Sequence, residues 1–514
     1  MSFLYNNLAA FTVAAVASVL VWTFGGTRGD LLLPIVPWLV LLLVEALVCF
    51  PQRHRDETAY EARERAWRAI KKDPVTWVAL GFLALLVIPF VNNGLCPFCD
   101  APQIARGIRS EPAAPFLPFC VNRLEHLSVF LWFLLALPAM TAVRHCLTRR
   151  GKRLVVELIM WNGLAVALFG FVEKAMGATG PFWDSNPGTY WNTASDFFAT
   201  FGYPNMAGDY FVTMFALAAA LWRDKFEQDA KEKKLAKEAD EKDYRPSLFW
   251  TRHYLLLPAA VFFFAALNTL SRAAIILVTV LAVLFFLHTL LSVLAHKRKA
   301  KRVTLGVWSL LVFGVVIFFA SVFMPDRMRK EIRTLDATTV LDRVSGRGQD
   351  HEHLAAALWR DHKLFGCGGW GYGHLCMTKV PPKERKNAAQ RVGGINVHND
   401  YLQFLTEHGL VGFGALVALV VLLFWPIGRD WRQLVRESRF KKEKEQPPKP
   451  RQIFVLPAPV FFILLSALAT LIHAFGDCPF RSPAILIVFF VDLAALPGFM
   501  PKLEHHSHHS HSHH

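Results

Sequence analysis

The sequence has no Walker-type phosphate loop and no GxGxxG fingerprint in a strand–helix setting, which argues against an ATP-driven pump. It has no internal repeat of roughly 20–50 residues, and so no sign of a solenoid or propeller. No nucleic-acid module is visible. The first apolar segment, LAAFTVAAVASVLVWTFGG, lacks a basic leader and a clear cleavage site, so it reads as a retained helix and not as a signal peptide. Charge is sparse: only 19% of the 514 residues are Asp, Glu, Lys or Arg, against 54% hydrophobic.

What the chain has in abundance is nearly uncharged stretches of about 20 residues, each long enough to span the hydrocarbon core of a bilayer. They fall near 8–25, 31–50, 75–93, 125–143, 154–175, 205–222, 253–270, 273–295, 303–323, 409–427, 454–474 and 482–499. The expectation is an all-α polytopic membrane protein of about twelve transmembrane helices. It divides into nine helices with short loops over 1–323, a large outer loop over 324–408, three helices over 409–499, and a His-rich purification tail over 500–514. The tail's histidines are left out of any metal argument.

The loops 51–74, 144–153, 223–252, 296–302 and 428–453 hold 35 of the 56 Lys and Arg residues, and a twelve-helix trace puts them all on one face. By the positive-inside rule that face is cytoplasmic, with both termini on it. The net charge of +16 then reports topology and contact with anionic lipid, not nucleic acid. Cys96, Cys99, Cys120, Cys367, Cys376 and Cys478 fall on the opposite side, where disulfides are allowed. The pairs this suggests are Cys96 or Cys99 with Cys120, and Cys367 with Cys376. CPFC at 96–99 has redox spacing but no βαβ context, so a structural disulfide is expected there. The Lys/Glu-rich stretch 223–252 reads as a solvated helix.

The outer segment 324–407 is too long for a plain connection and should fold as a mostly helical cap or pocket wall. Its thirteen Lys/Arg against ten Asp/Glu suggest an anionic ligand, the alternative being internal ion pairs or headgroup contacts. Arg343, Arg347 and His351 recur at spacings of four, so on a helix both guanidiniums share a stripe that fits phosphate oxygens, although Gly346 and Gly348 weaken that helix. GCGGWGYG at 366–373 reads as a tight turn permitting close approach of backbone to a ligand. Earlier, Ser271 suits an N-cap and puts Arg272 in the first turn of a helix, where a cation wants a compensating anion such as phosphate; the plainer reading is a side chain snorkelling to headgroups.

Two further runs reach the same face. FGYPNMAGDYFVTMF opens a helix with Asn205 and Asp209, and HAFGDCPFRSPAI spaces His473, Asp477 and Arg481 by fours. Asn205 could be a simple cap, and Asp477 with Arg481 a hairpin ion pair. His398 begins VHNDYLQFLTEHGLVGFGAL, where polar loop gives way to apolar helix. On a continuous helix it would share one face with Leu402, Leu405, Gly409 and Gly412. A histidine at a helix start is often a cap, but an imidazole kept neutral by the helix dipole can accept a proton, and Glu407 could orient it or a substrate hydroxyl.

FGYPNMAGDY, LSRAA, SGRGQDHEHLAAALWRDHKLFGCGGWGYG and HNDYLQFLTEHGLVGFG, in this order, resemble the motifs of the O-antigen ligase and polymerase family of bacterial polytopic glycan transferases. The resemblance covers roughly residues 190–495, and it departs from the family's Arg-x-x-x-Leu at Ile276. It implies a fold similar to the GT-C class in the inner membrane, with the site facing the periplasm. It implies transfer of a glycan from an undecaprenyl pyrophosphate carrier to an acceptor hydroxyl, lipid A–core in the case of a ligase, with no cofactor, metal or nucleotide sugar. No DxD motif occurs in the chain, so the growing pyrophosphate charge falls to arginine. His398, Arg272 and Arg347 carry over as catalytic residues, with inversion at the anomeric carbon. Arg343, Arg481, Asp477, Asn205, Glu407 and His351 are the expected substrate contacts. A polymerase or a protein O-oligosaccharyltransferase has the same parts, and a lipid-linked glycan transporter could share the helices and intramembrane arginines without needing His398.

Overall fold

Runs of Leu, Val, Ala and Phe without flanking charges leave the backbone no partner but itself in an apolar surrounding, and the chain answers with helices. The structure is a computed structural model and describes residues 4, 6–54, 56–92, 114, 116–183, 197–238, 253–295, 351–383, 396–444 and 456–501. Among the described residues there is no strand beyond one isolated bridge between Phe198 and Phe201. The main helices are α1 (Leu8–Trp22), α2 (Val36–Val48), α3 (Ala59–Lys72), α4 (Pro74–Val91), α5 (Arg123–Thr141), α6 (Arg149–Ala175), α7 (Pro204–Glu238), α8 (Leu256–Asn268), α9 (Arg272–Ala295), α10 (Asp400–Lys444), α11 (Ala458–His473) and α12 (Pro483–Ala495).

Among the described residues, five helical segments are long and apolar enough to cross a bilayer: Pro74–Val91, Arg123–Cys146, Arg149–Ala175, Arg272–Ser292 and Asp400–Arg436. Helices α1, α2, α8, α11 and α12 are apolar but shorter. The expected span 303–323, the CPFC run and the histidine-rich tail lie outside the described residues. Of the solvated helix expected over 223–252, residues 223–238 are the helical end of α7, with Arg223, Asp224 and Asp229 buried and not solvated, and 239–252 lie outside the described residues. The expected span at 409–427 starts earlier and ends later, because α10 runs from Asp400 to Lys444.

Burial sorts the helices into centre and perimeter. Every residue of α12 is buried, as a helix apolar on all sides must be to occupy a protein centre. Trp38, Trp77, Leu80, Leu257, Val421 and Ile472 are exposed on outer faces, where an apolar side chain suits lipid. Small residues let the inner helices approach. A Cβ on Gly163 would lie 2.6 Å from Met214 Sδ, and one on Gly208 would lie 2.5 Å from Ala274 Cβ.

The bundle has two chemically distinct ends. At one end Asp73 caps α4 and holds Arg144 and His145, Gln52 bonds Asn7 and Thr148, and Arg149 donates to the Met500 carbonyl. At the other end the turn at Gly25, the start of α7, the α8–α9 turn, the 351–383 segment, the start of α10 and the α11–α12 turn converge. Gly25 packs on Phe201 and Ser482, and Gly208 packs on Thr269, Ser271 and Ala274.

The expected disulfide between Cys367 and Cys376 is not formed. Both are free thiols, as is Cys120. Cys367 Sγ turns to the Thr406 carbonyl at 3.5 Å and Cys376 Sγ to that of Gly373 at 3.7 Å, so each sulfur has its own acceptor. Burial pushes the Cys120 thiol up to about 11 and that of Cys367 well above its ordinary range, which keeps both protonated.

Candidate active site

Two turns set the geometry. Ser271 precedes α9, its Oγ accepting from Ala274 N–H at 3.4 Å, so Arg272 is the first helical residue, as expected. The contact of Gly208 with Ser271 and Ala274 holds the first turns of α7 against the start of α9. Arg272, partly exposed, thus stands at the level of Asn205 and Asp209.

Asp477, in the α11–α12 turn, is the hub of the cluster and is 4% exposed. Tyr203 Oη donates to its two carboxylate oxygens at 3.1 and 3.0 Å, Asn205 Nδ2 donates to Oδ2, and Cys478 N–H donates to Oδ1 at 2.7 Å. Asn205 therefore serves Asp477 instead of capping its own helix. His398 Nδ1 stands 3.6 Å from Asp477 Oδ1. Burial raises the Asp477 pKa, but His398, His473 and the Cys478 N–H together outweigh it and hold the carboxyl below its usual range. Burial and the Asp477 charge push the Tyr203 phenol well above its ordinary value, so it remains a donor.

His398 does not sit on α10, whose first residue is Asp400. It precedes the helix in a left-handed conformation, φ 56°, which histidine adopts more readily than most residues. The face shared with Leu402, Leu405, Gly409 and Gly412 is therefore corrected twice: His398 lies outside the helix, and Gly409, φ 64° and ψ −172°, breaks it. The backbone around His398 is clamped on both sides. Val397 N–H donates to Gln403 Oε1 at 3.0 Å, Gln403 Nε2 to Asn396 Oδ1 at 3.2 Å, and Asp400 N–H to the Ala474 carbonyl at 2.9 Å. A strained residue held this way is a pre-organised one.

The His351 ring meets that of His398 edge to face at 5.9 Å, and its Nδ1 is hydrogen-bonded to Tyr372 Oη at 2.8 Å. Asn399 Nδ2 donates to Glu352 Oε1 at 3.4 Å, a second tie between the outer segment and the start of α10. Arg343 and Arg347 lie outside the described residues.

Arg481 and Glu407 are placed differently from expectation. Arg481 is 1% exposed; its Nη2 donates to Glu407 Oε2 at 2.8 Å, its Nε lies 3.8 Å from Asp400 Oδ1, and its guanidinium sits over Trp370 and Phe404 at 5.1 and 5.2 Å. Glu407 is fully buried and also accepts from Gln403 at 3.1 Å. These groups brace the start of α10 from beneath and do not line the opening, and Asp477 and Arg481 are not a hairpin pair. The glycine run at 366–371 likewise admits the chain's own backbone: a Cβ on Gly366 would lie 2.3 Å from the Glu407 carbonyl carbon, and one on Gly368 2.6 Å from the Phe119 carbonyl oxygen. Sequence reasoning missed Tyr203, Tyr372, Gln403 and Asp400. The signals were present in FGYPN and HNDYLQ, but nothing in the spacing says that these runs meet.

Residues 257–417 match the family model described as O-antigen ligase. The chain carries an O-antigen ligase family domain. The match supports a membrane glycan-processing enzyme of the ligase and polymerase type. The matched stretch is narrower than the resemblance read over 190–495. It holds Arg272, His351 and His398, and leaves Tyr203, Asn205 and Asp477 to be joined to the ligase-family domain by the fold alone. No curated protein matches the chain.

Proposed function

We propose that this ligase-family protein transfers a glycan from an undecaprenyl pyrophosphate carrier to an acceptor hydroxyl, lipid A–core being the acceptor of a ligase, on the periplasmic face of the inner membrane. The observation that carries the reading is the pairing of a clamped, partly exposed His398 with a buried carboxylate, Asp477, that stays ionised. An ionised Asp477 accepts a hydrogen bond from Nδ1–H of His398, which keeps the proton on Nδ1 and leaves Nε2 as the acceptor. The 3.6 Å separation is of the kind that tightens when substrate closes a site.

In the transfer, Nε2 of His398 removes the acceptor's proton as its oxygen attacks the anomeric carbon from the face opposite the carrier. The anomeric C–O bond breaks with inversion, and its electrons leave on the pyrophosphate. In this reading Arg272, at the helix start beside α7, meets that charge, joined by Arg347 and Arg343 of the outer segment. Asp477, oriented by Tyr203 and Asn205, stabilises the imidazolium that forms. His351 flanks His398, while Arg481 and Glu407 fix the α10 start that carries it.

Purified protein in nanodiscs, given a carrier-linked glycan and a hydroxyl acceptor, tests the chemistry. His398→Ala is expected to bind the carrier and lose about 10²–10⁴-fold in turnover, the usual worth of a general base. Full transfer by the intact variant would remove His398 from the chemistry. Lipopolysaccharide profiles of a deletion strain separate the members: a ligase defect leaves polymer on the carrier, and a polymerase defect leaves core bearing a single repeat.

A further inference from the structure

Cys478 has no task in the transfer chemistry, yet it stands inside the cluster. Its Sγ lies 3.3 Å from Asp477 Oδ1, the same oxygen that is 3.6 Å from His398 Nδ1, and the three atoms all lie within 4.8 Å of one another. Imidazole nitrogen, carboxylate oxygen and cysteine sulfur are the three donor types that zinc takes, at about 2.0–2.2 Å for N and O and about 2.3 Å for S. At tetrahedral angles such bonds set ligand atoms about 3.3–3.6 Å apart. The two edges that meet at Asp477 Oδ1 match this within a few tenths of an ångström, and the remaining edge needs only a modest swing of the partly exposed imidazole.

We propose that His398, Asp477 and Cys478 form a Zn²⁺ site whose occupation switches the transferase off. Three protein ligands leave a fourth position on the partly exposed side of His398 for water. Asp477 comes with its second shell in place, since Tyr203 and Asn205 already fix its other oxygen. Zinc binds cysteine as the thiolate, so the Cys478 thiol gives up its proton as the ion binds. Mg²⁺ does not suit the set, because it demands an octahedron of oxygens and one carboxylate is all this site offers.

The switch follows from the imidazole. A neutral ring has one proton. With the Nδ1 lone pair on zinc, the proton sits on Nε2, the atom that must accept from the acceptor hydroxyl, and the Asp477 charge is neutralised as well. The inhibitory consequence rests on the reading of His398 as base; the binding does not.

The two are tested separately. Co²⁺ is titrated into the full chain in nanodiscs and the thiolate-to-cobalt charge-transfer band is followed, a signal to which the histidine-rich tail cannot contribute because it has no cysteine. The band is expected for the wild type and lost in Cys478→Ser, with Cys478→Ala as a second variant should serine disturb the turn. Zn²⁺ is expected to inhibit transfer, Mg²⁺ to leave it unchanged, and Cys478→Ser to retain metal-free turnover while needing at least about tenfold more Zn²⁺ for half-inhibition. A band that survives in both Cys478 variants, or no band in the wild type, overturns the site. If Zn²⁺ displaces Co²⁺ and abolishes the band yet leaves transfer unaffected or stimulates it, the switch is overturned. If His398→Ala transfers normally, the base assignment falls while the cobalt result stands on its own.

Discussion

At the residue scale the proposed chemistry turns on Asp477, whose ionised carboxylate stands 3.6 Å from His398 Nδ1. Asp477→Asn keeps the volume and the carbonyl acceptor and removes the charge. Turnover is expected to fall about 10²–10⁴-fold. The acid limb of the pH–rate profile is expected to move to lower pH, since a carboxylate beside an imidazole favours its protonated form and an amide does not. An unmoved limb with normal turnover would show that Asp477 only supports the turn. His398 was legible from its place where polar loop meets apolar helix, and Arg272 from the serine before it. Tyr203 and the role of Asn205 were not, because Asn205 and Asp477 stand 272 positions apart and nothing local signals their contact. A buried Arg481 was unreadable for a related reason: a guanidinium near a membrane surface looks the same in sequence whether it meets a ligand or, as here, Glu407 and two aromatic faces.

At the element scale α10 matters most, since its first residues carry the clamp on His398 and its break receives the outer segment. At Gly409 the helix opens and residues 363–368 thread into the gap. Cys367 N–H bonds the Thr406 carbonyl at 3.1 Å and Gly368 N–H that of Glu407 at 2.8 Å; in return Leu410 and Val411 donate to the carbonyls of Lys363 and Leu364 at 2.8 and 3.0 Å. These four bonds give backbone groups freed at the break new partners, which is what allows a broken helix here. Apolar periodicity carries no trace of such a break, so the sequence reads as one loop followed by one helix. Gly409→Ala would put a Cβ 2.3 Å from the Leu364 carbonyl in a left-handed conformation. A loss of about 2–4 kcal/mol is expected, visible as a lowered Tm. Gly414 has nothing within 4 Å of its would-be Cβ, so Gly414→Ala should be neutral or stabilising by up to about 1 kcal/mol. Equal effects at the two glycines would mean that the break is not required.

At the scale of the whole molecule the sequence was most readable, because hydrophobic length and the clustering of Lys and Arg follow from the bilayer and not from particular contacts. The end opposite the candidate site is where that reading can be tested through stability. Asp73 caps α4, bonds Arg144 Nε at 2.5 Å and His145 Nε2 at 2.7 Å, and so ties the entry of one helix to the exit of α5. Burial raises its pKa, but His145 and Arg144 outweigh this and hold the carboxyl well below its ordinary 3.8. A carboxyl lowered on folding contributes stability that is fully present above its unfolded value and is lost as pH falls through the folded one. Asn caps a helix as well as Asp does, so Asp73→Asn isolates the charge. It leaves the half-buried Arg144 without its counterion, at a cost of about 3 kcal/mol. The Tm deficit of the variant should be present above about pH 4 and shrink below it, as the carboxylate takes up its proton first in the unfolded chain and, at still lower pH, in the folded one. A deficit that stays level through acid pH would mean that the shape of Asp73, and not its charge, holds this end of the bundle together.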